Sequence, residues 1–218
     1  MKQRTFYPAI LVVCLSALVI YGCGSDEKEP EKPTVEPSTT EESMLSTEEL
    51  LGSWDITSIN NQAPDVFIDE VFNGEEPDLE DRPKTSIGSF YAVFEENQTW
   101  HLNLEMQMSD FPEDPNKDDP ENAAKIEMTG KWSGQYSAEG SELTLTINDT
   151  DVIITTNPTD LFETLFEVSE MSAQQEMTGK FASQVLLPFA KTIVAPEGDK
   201  LELQSNVIPN AWMILEKQ

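Results

Sequence analysis

The sequence is poor in the side chains on which most enzyme active sites depend. It contains one histidine, His101, and two cysteines, Cys14 and Cys23. It lacks the glycine-rich phosphate loop, the His-Glu-x-x-His helix and the Gly-x-Ser-x-Gly turn that mark common nucleotide-binding, metallopeptidase and hydrolase sites. His101 occupies a position predicted to face solvent, which is typical of an ordinary surface histidine. The sequence therefore predicts no catalytic residue, no metal site and no cofactor. Whether two of its many carboxylates form a catalytic pair stays open.

Basic charge is also scarce. Lysine and arginine together number 13 against 41 acidic residues, so the formal net charge is −28. A chain of this charge repels phosphate backbones and anionic lipid headgroups, which argues against nucleic-acid binding. The same charge keeps an exported protein soluble and suits cationic partners.

No apolar run is long enough to cross a bilayer. The run from Tyr7 to Tyr21 is shorter than the ~20 residues that a spanning helix needs. Lys2 and Arg4 precede it and the small residue Gly22 follows it. A positive start, a short apolar core and a small-residue processing site are typical of a signal peptide, which we predict over residues 1–22. The alternative is an uncleaved N-terminal anchor helix.

The residues Ile20-Tyr21-Gly22-Cys23 resemble a bacterial lipobox. The resemblance implies that Cys23 is the first residue of the mature lipoprotein and carries palmitate-type acyl chains, which anchor it to a membrane of the cell envelope. Gly24 and Ser25 follow, rather than the Asp that retains enterobacterial lipoproteins in the inner membrane. The resemblance therefore favours the outer membrane, with the protein periplasmic or surface-facing. Because Cys14 would leave with the signal peptide, no disulfide is expected.

Residues 23–45 are predicted to be a disordered acidic tether behind the lipidated cysteine. The stretch is rich in Glu, Lys, Pro, Ser and Thr and nearly devoid of apolar residues, so it cannot bury enough surface to fold. A single folded domain is predicted over residues 46–218.

Within that domain the hydrophobic pattern has a period of two, which indicates antiparallel strands with one buried and one wet face. The predicted strands are Gly52–Asn60, Gly88–Glu95, Trp100–Met108, Ile126–Tyr136, Glu142–Ile147, Val152–Thr156, Lys200–Leu203 and Ala211–Lys217. A turn is predicted over 148–150, between the fifth and the sixth. About eight strands suit a small closed barrel. The predicted fold is thus all-β, an antiparallel up-and-down barrel with one or two helices.

Two segments interrupt the strand pattern. Asn61 to Lys84 is an acidic insertion with an apolar cluster from Val66 to Phe72, which predicts a short helix packed on the barrel mouth. Asp160 to Met177 has apolar residues at helical spacing, and Asp160 with Glu163 has the spacing of a capping box. The apolar residues 181–193 include Pro188 and are compatible with either a helix or a strand.

Short motifs spread over the domain resemble those of lipocalins and bacterial lipocalin-like domains. They are the Gly52-Ser53-Trp54 opening, the Gly130–Ser133 and Leu143–Thr146 hairpin, and the last strand, Trp212–Lys217. The resemblance implies a lipocalin-like barrel with Trp54 at its closed end. Lipocalins usually pack an arginine over this tryptophan. In this sequence Arg82, the only arginine after residue 22, lies in the insertion instead.

The function predicted from this resemblance depends on the barrel interior. Six inward residues would line a pocket for a small hydrophobic ligand: Trp100, Leu102, Leu104, Met106, Trp132 and Tyr136. The same side chains would also suffice to fill a barrel of this size as core. The alternative function is a protein–protein interaction or scaffold module for another envelope protein, with residues 61–84 and 160–177 as its contact surface. An exposed apolar patch on the 160–177 segment would favour this alternative.

Residues Asp114 to Glu121 place oxygen ligands at alternate positions, as at the start of a calcium loop. The sixth position is Asp119 instead of glycine and the twelfth is Lys125 instead of glutamate, so the match to a calcium loop is poor. We predict a solvated acidic loop.

Overall fold

Eight antiparallel strands, joined in sequence order, form a closed barrel. The computed structural model describes residues 45–74, 82–119 and 121–218, so the predicted signal peptide, Cys23 and all but the end of the tether lie outside the described residues. The strands are β1 Gly52–Ile59, β2 Lys84–Phe94, β3 Thr99–Ser109, β4 Lys125–Glu139, β5 Glu142–Asn157, β6 Lys191–Glu197, β7 Lys200–Ser205 and β8 Trp212–Lys217. The predicted fold class is confirmed. Among the described residues, no helix has the length and hydropathy needed to cross a membrane.

The strands form where apolar and polar residues alternate. In β3 every second residue from Trp100 to Met108 is buried, and the residues between them are not. Tight turns with residues of positive φ join the hairpins, at Gln98 (φ 61°), Gly140 (φ 63°) and Gly198 (φ 63°). Glycine adopts this conformation without the steric cost of a Cβ.

Two strand predictions are wrong. One divides a single strand into two and the other omits a strand, so the predicted number of eight strands still agrees with the structure. The turn predicted over 148–150 lies inside β5, which runs unbroken to Asn157. Asp149 pairs with Ser133 and Ile147 pairs with Gly134, so Asn148 is the extra residue of a β-bulge. Bulges and turns favour similar residues, which explains the error. β6 was missed: its first three residues, Lys191 to Ile193, belong to the segment 181–193, which is compatible with either a helix or a strand, and the rest lies beyond it.

The barrel is closed at one end and splits at the other. β1 pairs with β2 only over Gly52–Asp55, and β5 pairs with β6 only over Glu142–Thr144. Both short ladders lie at the end where the β2–β3 and β4–β5 turns are found, which we call the closed end. Towards the other, open end the barrel separates into a long half-sheet, β2 to β5, and a short half-sheet, β6 to β8 with β1.

Helices occupy the split. They are α2 Pro64–Asn73, α3 Leu161–Phe166 and α4 Glu170–Phe181, whereas α1 Thr47–Leu50 precedes β1 at the closed end. The helix predicted in the insertion is confirmed as α2, which packs on β1 and β2 and buries Ile68 and Val71.

The helix predicted from residue 160 is two helices instead of one. The chain turns at Glu167, whose φ is 57°, and Ser169 begins α4 by accepting a hydrogen bond from the Ser172 amide. The predicted capping box is absent, because the Asp160 side chain makes no capping hydrogen bond. A π-helical turn, Ala182–Leu186, and a 3-10 turn, Leu187–Phe189, then lead into β6.

Trp54 is buried at the closed end of the barrel, in the short ladder between β1 and β2. Its indole Nε1 donates to the Leu50 carbonyl at 2.7 Å. The Lys217 ammonium lies 5.2 Å from the centroid of its ring. A lysine from the last strand therefore places a cation over this tryptophan.

Candidate functional site

The six residues predicted to line a ligand pocket all point into the barrel. Each is at most 4% exposed. They come from β3 and β4, which pair along most of their length and place Trp100 beside Gly134 and Leu104 beside Gly130. The structure thus brings the six together as one apolar wall of the long half-sheet.

The chain from Phe181 to Phe189, which we call the plug, packs against this wall. The Phe181 ring stacks on Trp132, with centroids 4.3 Å apart and planes 23° apart, and meets Phe90 edge-on at 6.1 Å. Val185 and Phe189 are also buried. The plug therefore fills the space between the two half-sheets.

The sequence offered one signal for this plug. Phe181, Val185 and Phe189 are spaced four residues apart, which is the spacing of one helix face. Pro188 argued against a continuous helix, and the structure reconciles the two signals with a π-helical turn followed by a 3-10 turn.

A small cavity remains beneath the plug. Its volume is about 30 Å³, and its lining includes Trp100, Leu102, Val185, Phe189 and Met213. Pockets that hold small molecules are usually of the order of 300–1,000 Å³, whereas this space is about that of one water molecule. A ligand of fatty-acid size would fit only if the plug moved. Ligand binding by the six residues named from the sequence therefore remains a prediction.

The connection between α3 and α4 exposes a cluster of apolar side chains. Phe166 is 46% exposed, Val168 38% and Met171 70%; we call these three residues the 166–171 patch. The ring of Phe166 is held from behind by Phe111 at 6.0 Å and by Phe162 at 6.2 Å. The patch thus combines a fixed aromatic ring with a flexible methionine, a pairing suited to a contact surface.

The segment that carries the 166–171 patch is rich in acidic side chains. Its exposed carboxylates are those of Asp160, Glu163, Glu167, Glu170 and Glu176. The first basic residue after them is Lys180, whose ammonium is 3.2 Å from Glu176. The segment therefore combines exposed apolar side chains with an excess of negative charge.

His101, the only histidine of the chain, lies beside an acidic side chain. His101 lies 3.6 Å from Glu95, and burial, followed by the charge of Lys131, lowers the pKa of its imidazole.

Asp114 holds its own loop together. One of its oxygens accepts from the Asn116 amide at 2.9 Å and the other from the Ala124 amide at 2.6 Å. Within the residues that the structure describes, no three histidine, cysteine or acidic side chains are grouped as metal ligands.

Comparison with known proteins provides no functional assignment. No protein-family model matches the chain, and no curated protein matches it significantly. The functional interpretation therefore depends on the barrel interior, the 166–171 patch and the charge of the segment that carries it.

Proposed function

We propose that this protein is a lipid-anchored interaction module of the bacterial cell envelope. In this proposal the barrel is a rigid scaffold, and the 166–171 patch binds an apolar, basic segment of a partner protein. The observation that carries the proposal is an exposed apolar cluster on a barrel in which the plug leaves a cavity of only about 30 Å³ beneath it.

Charge and chemistry specify the partner. Exposed phenylalanine and methionine lose contact with water when covered, which favours an apolar partner surface. The carboxylates of the same segment favour lysine or arginine at its rim and accelerate its approach at low salt. A segment with an apolar face and a basic margin meets both requirements, whereas a second copy of this acidic chain would be repelled.

Binding by the patch can be tested with a synthetic amphipathic helix of leucine and lysine. Met171→Ser should weaken its binding about tenfold, because part of the apolar centre is lost. Val207→Ser is the matched control, since Val207 is 57% exposed on the β7–β8 connection and should not change the affinity. A leucine–glutamate helix of the same pattern should bind far more weakly. Equal binding of both helices, or an unchanged affinity in the Met171 variant, would rule out this site.

The anchor is supported by the sequence from Ile20 to Cys23 and is tested separately. Cys23→Ser should remove the acylation site and move the protein out of the detergent phase on phase partition. Cys14→Ser should have no effect, because Cys14 is removed with the signal peptide in this proposal. The lipoprotein assignment fails if the Cys23 variant still partitions with detergent. Cell fractionation of the wild type would then test the preference for the outer membrane.

A second candidate function is the binding of a small hydrophobic ligand, favoured by the wholly apolar cavity beneath the plug. An environment-sensitive apolar dye should bind, quench tryptophan fluorescence and be displaced by fatty acids. Phe189→Ala should enlarge the cavity and strengthen binding. If neither the wild type nor a folded Phe189 variant binds the dye saturably, this candidate is discarded.

A further inference from the structure

One edge of β5 lacks a neighbouring strand over most of its length. β5 pairs with β4 from Glu142 to Asn157 but with β6 only as far as Thr144. The Leu145 amide then donates to the Ala190 carbonyl at 2.7 Å. Beyond it, the Thr146 carbonyl accepts from the Trp100 indole at 3.0 Å and the Thr150 amide donates to the Asp149 side chain at 3.0 Å. Among the described residues, the backbone of 147–157 makes no backbone hydrogen bond to any segment other than β4. We call this stretch the β5 edge.

The β5 edge is accessible and long enough to pair with another strand. In an antiparallel strand, every second residue directs its amide and carbonyl away from the partner. The side chains from Asn148 to Asp151 are exposed, and so is Ile153, at 59%. An exposed row of unpaired backbone groups is the surface to which extended peptides add in β-strand addition.

Charge identifies the kind of strand that the edge would accept. Asp149 and Asp151 both lie on it and are exposed; Asp151 is opposite Lys131 of β4, whereas Asp149 is opposite Ser133. A second copy of β5 would bring two more aspartates to the same ladder, between chains of net charge −28, and like charges opposite each other destabilise a strand pair. The acidic residues 24–43 of the same chain are disfavoured for the same reason, and their prolines cannot donate hydrogen bonds to a ladder. An extended segment with lysine or arginine is favoured instead.

We propose that the β5 edge binds an extended basic segment of a partner protein as an added strand of the long half-sheet. The backbone provides the ladder, the two aspartates select for basic side chains, and Ile153 offers an apolar contact beside them. This site lies on a different element from the 166–171 patch and does not depend on the function proposed for it.

The probe is a peptide with the sequence of residues 146–157 carrying Asp149→Lys and Asp151→Lys, added to the intact protein. It should bind at least tenfold more tightly than the unaltered peptide, and the preference should shrink as salt is added. Every second backbone amide from Thr150 to Asn157 in the protein should become protected from hydrogen exchange. The same peptide N-methylated at alternate amides should not bind, because its ladder donors are blocked.

Charge reversal in the protein provides the reciprocal test. Asp149→Lys with Asp151→Lys in the protein should reverse the preference and favour the unaltered acidic peptide. The matched control is Glu105→Lys with Glu202→Lys, which makes the same change of charge at exposed positions of β3 and β7, strands that are paired on both sides and separated from β5 by another strand. This control should change the preference less than about twofold, since general electrostatics are screened over a Debye length of about 10 Å.

Three outcomes would overturn the proposal. The first is equal affinity for the two peptides, and the second is binding without alternate protection of the β5 amides. The third is protection of those amides by dimerisation in sedimentation equilibrium, which would make a second copy the occupant. Met171→Ser should leave peptide binding intact, so failure of the patch and failure of the edge are distinguishable.

Discussion

The two ends of the barrel differ in how their buried aromatic side chains are held. At the closed end, Trp54 donates to Leu50, Trp100 donates to Thr146 at 3.0 Å and the Tyr136 hydroxyl donates to Glu95 at 3.0 Å. Towards the open end, the Trp132 ring stacks on Phe181, and its indole nitrogen is buried without a partner among the described residues. The hydroxyls of Thr85, towards the open end, and Thr192, at the closed end, are also buried without a partner there. Polar groups left unbonded in a core cost free energy.

We infer from this difference that the closed end stabilises the fold, whereas the open end carries the exposed surface available to a partner. The closed end is sealed by ladders between strands and by aromatic side chains with fixed partners. The open end is filled by α2, α3, α4 and the plug, which pack by shape and leave apolar groups in solvent. Regions with weaker packing are usually those that open first and that bind partners. The following substitutions test this contrast, in order of decreasing expected effect.

The largest difference should come from removing one aromatic ring at each end. Trp54→Ala should lower the free energy of unfolding by about 3–5 kcal/mol, because a fully buried ring leaves a cavity. Phe166→Ala should cost about 1 kcal/mol, because nearly half of that side chain is already in solvent. Urea unfolding monitored by circular dichroism measures both. A larger loss for Phe166→Ala would contradict the assignment of the closed end as the stable part.

Glycine-to-alanine substitutions at the two ends should change the free energy of unfolding in opposite directions. A Cβ at Gly134 would lie 1.7 Å from the Thr146 carbonyl oxygen, so Gly134→Ala must displace backbone and should cost about 3 kcal/mol.

Gly179 lies in α4 and a Cβ there meets nothing within 4 Å. Gly179→Ala should therefore stabilise the protein by about 0.5–1 kcal/mol, because alanine favours the helix. Thermal unfolding of the two variants beside the wild type tests the pair, and a shift of the same sign in both would refute the contrast.

A smaller effect should distinguish two buried tryptophans. Trp100→Phe and Trp132→Phe remove similar volumes, but only Trp100 loses a hydrogen bond seen in the structure. Trp100→Phe should therefore cost about 1 kcal/mol more in urea unfolding. If Trp132→Phe is the more damaging, its indole has a partner in solution, such as a buried water molecule.

The smallest effect should come from the cation over Trp54. Lys217→Met keeps most of the side-chain length but removes the charge, and should cost about 0.5–1 kcal/mol. Lys217→Arg is the control and should retain the stability of the wild type, because guanidinium also stacks on tryptophan. Equal losses in the two variants would show that packing, and not charge, is what Lys217 contributes.

The strands were predictable where one face is buried, because alternation along residues such as Trp100 to Met108 is a local signal. The bulge at Asn148 was not, since its residue types are those of a turn. Whether the interior was hollow or filled was also unpredictable, because it depends on Trp132 meeting Phe181 from a distant part of the chain. The exposure of Phe166 and Met171 was not predicted from the sequence. An exposed apolar patch on this segment was named only as the observation that would favour an interaction module over ligand binding.

The place where the chain enters the domain has a mechanical consequence. The Leu45 amide donates to the Gly140 carbonyl at 2.9 Å, and β1 begins shortly afterwards at the closed end. Tension on a tether would reach this single hydrogen bond and the short α1 first, and these would yield one at a time. If a partner held the open end, the pull would then run along β1, whose hydrogen bonds to β2 and β8 lie across that direction. Many bonds would share the load in shear, so the barrel should resist a force that easily extends its entry segment.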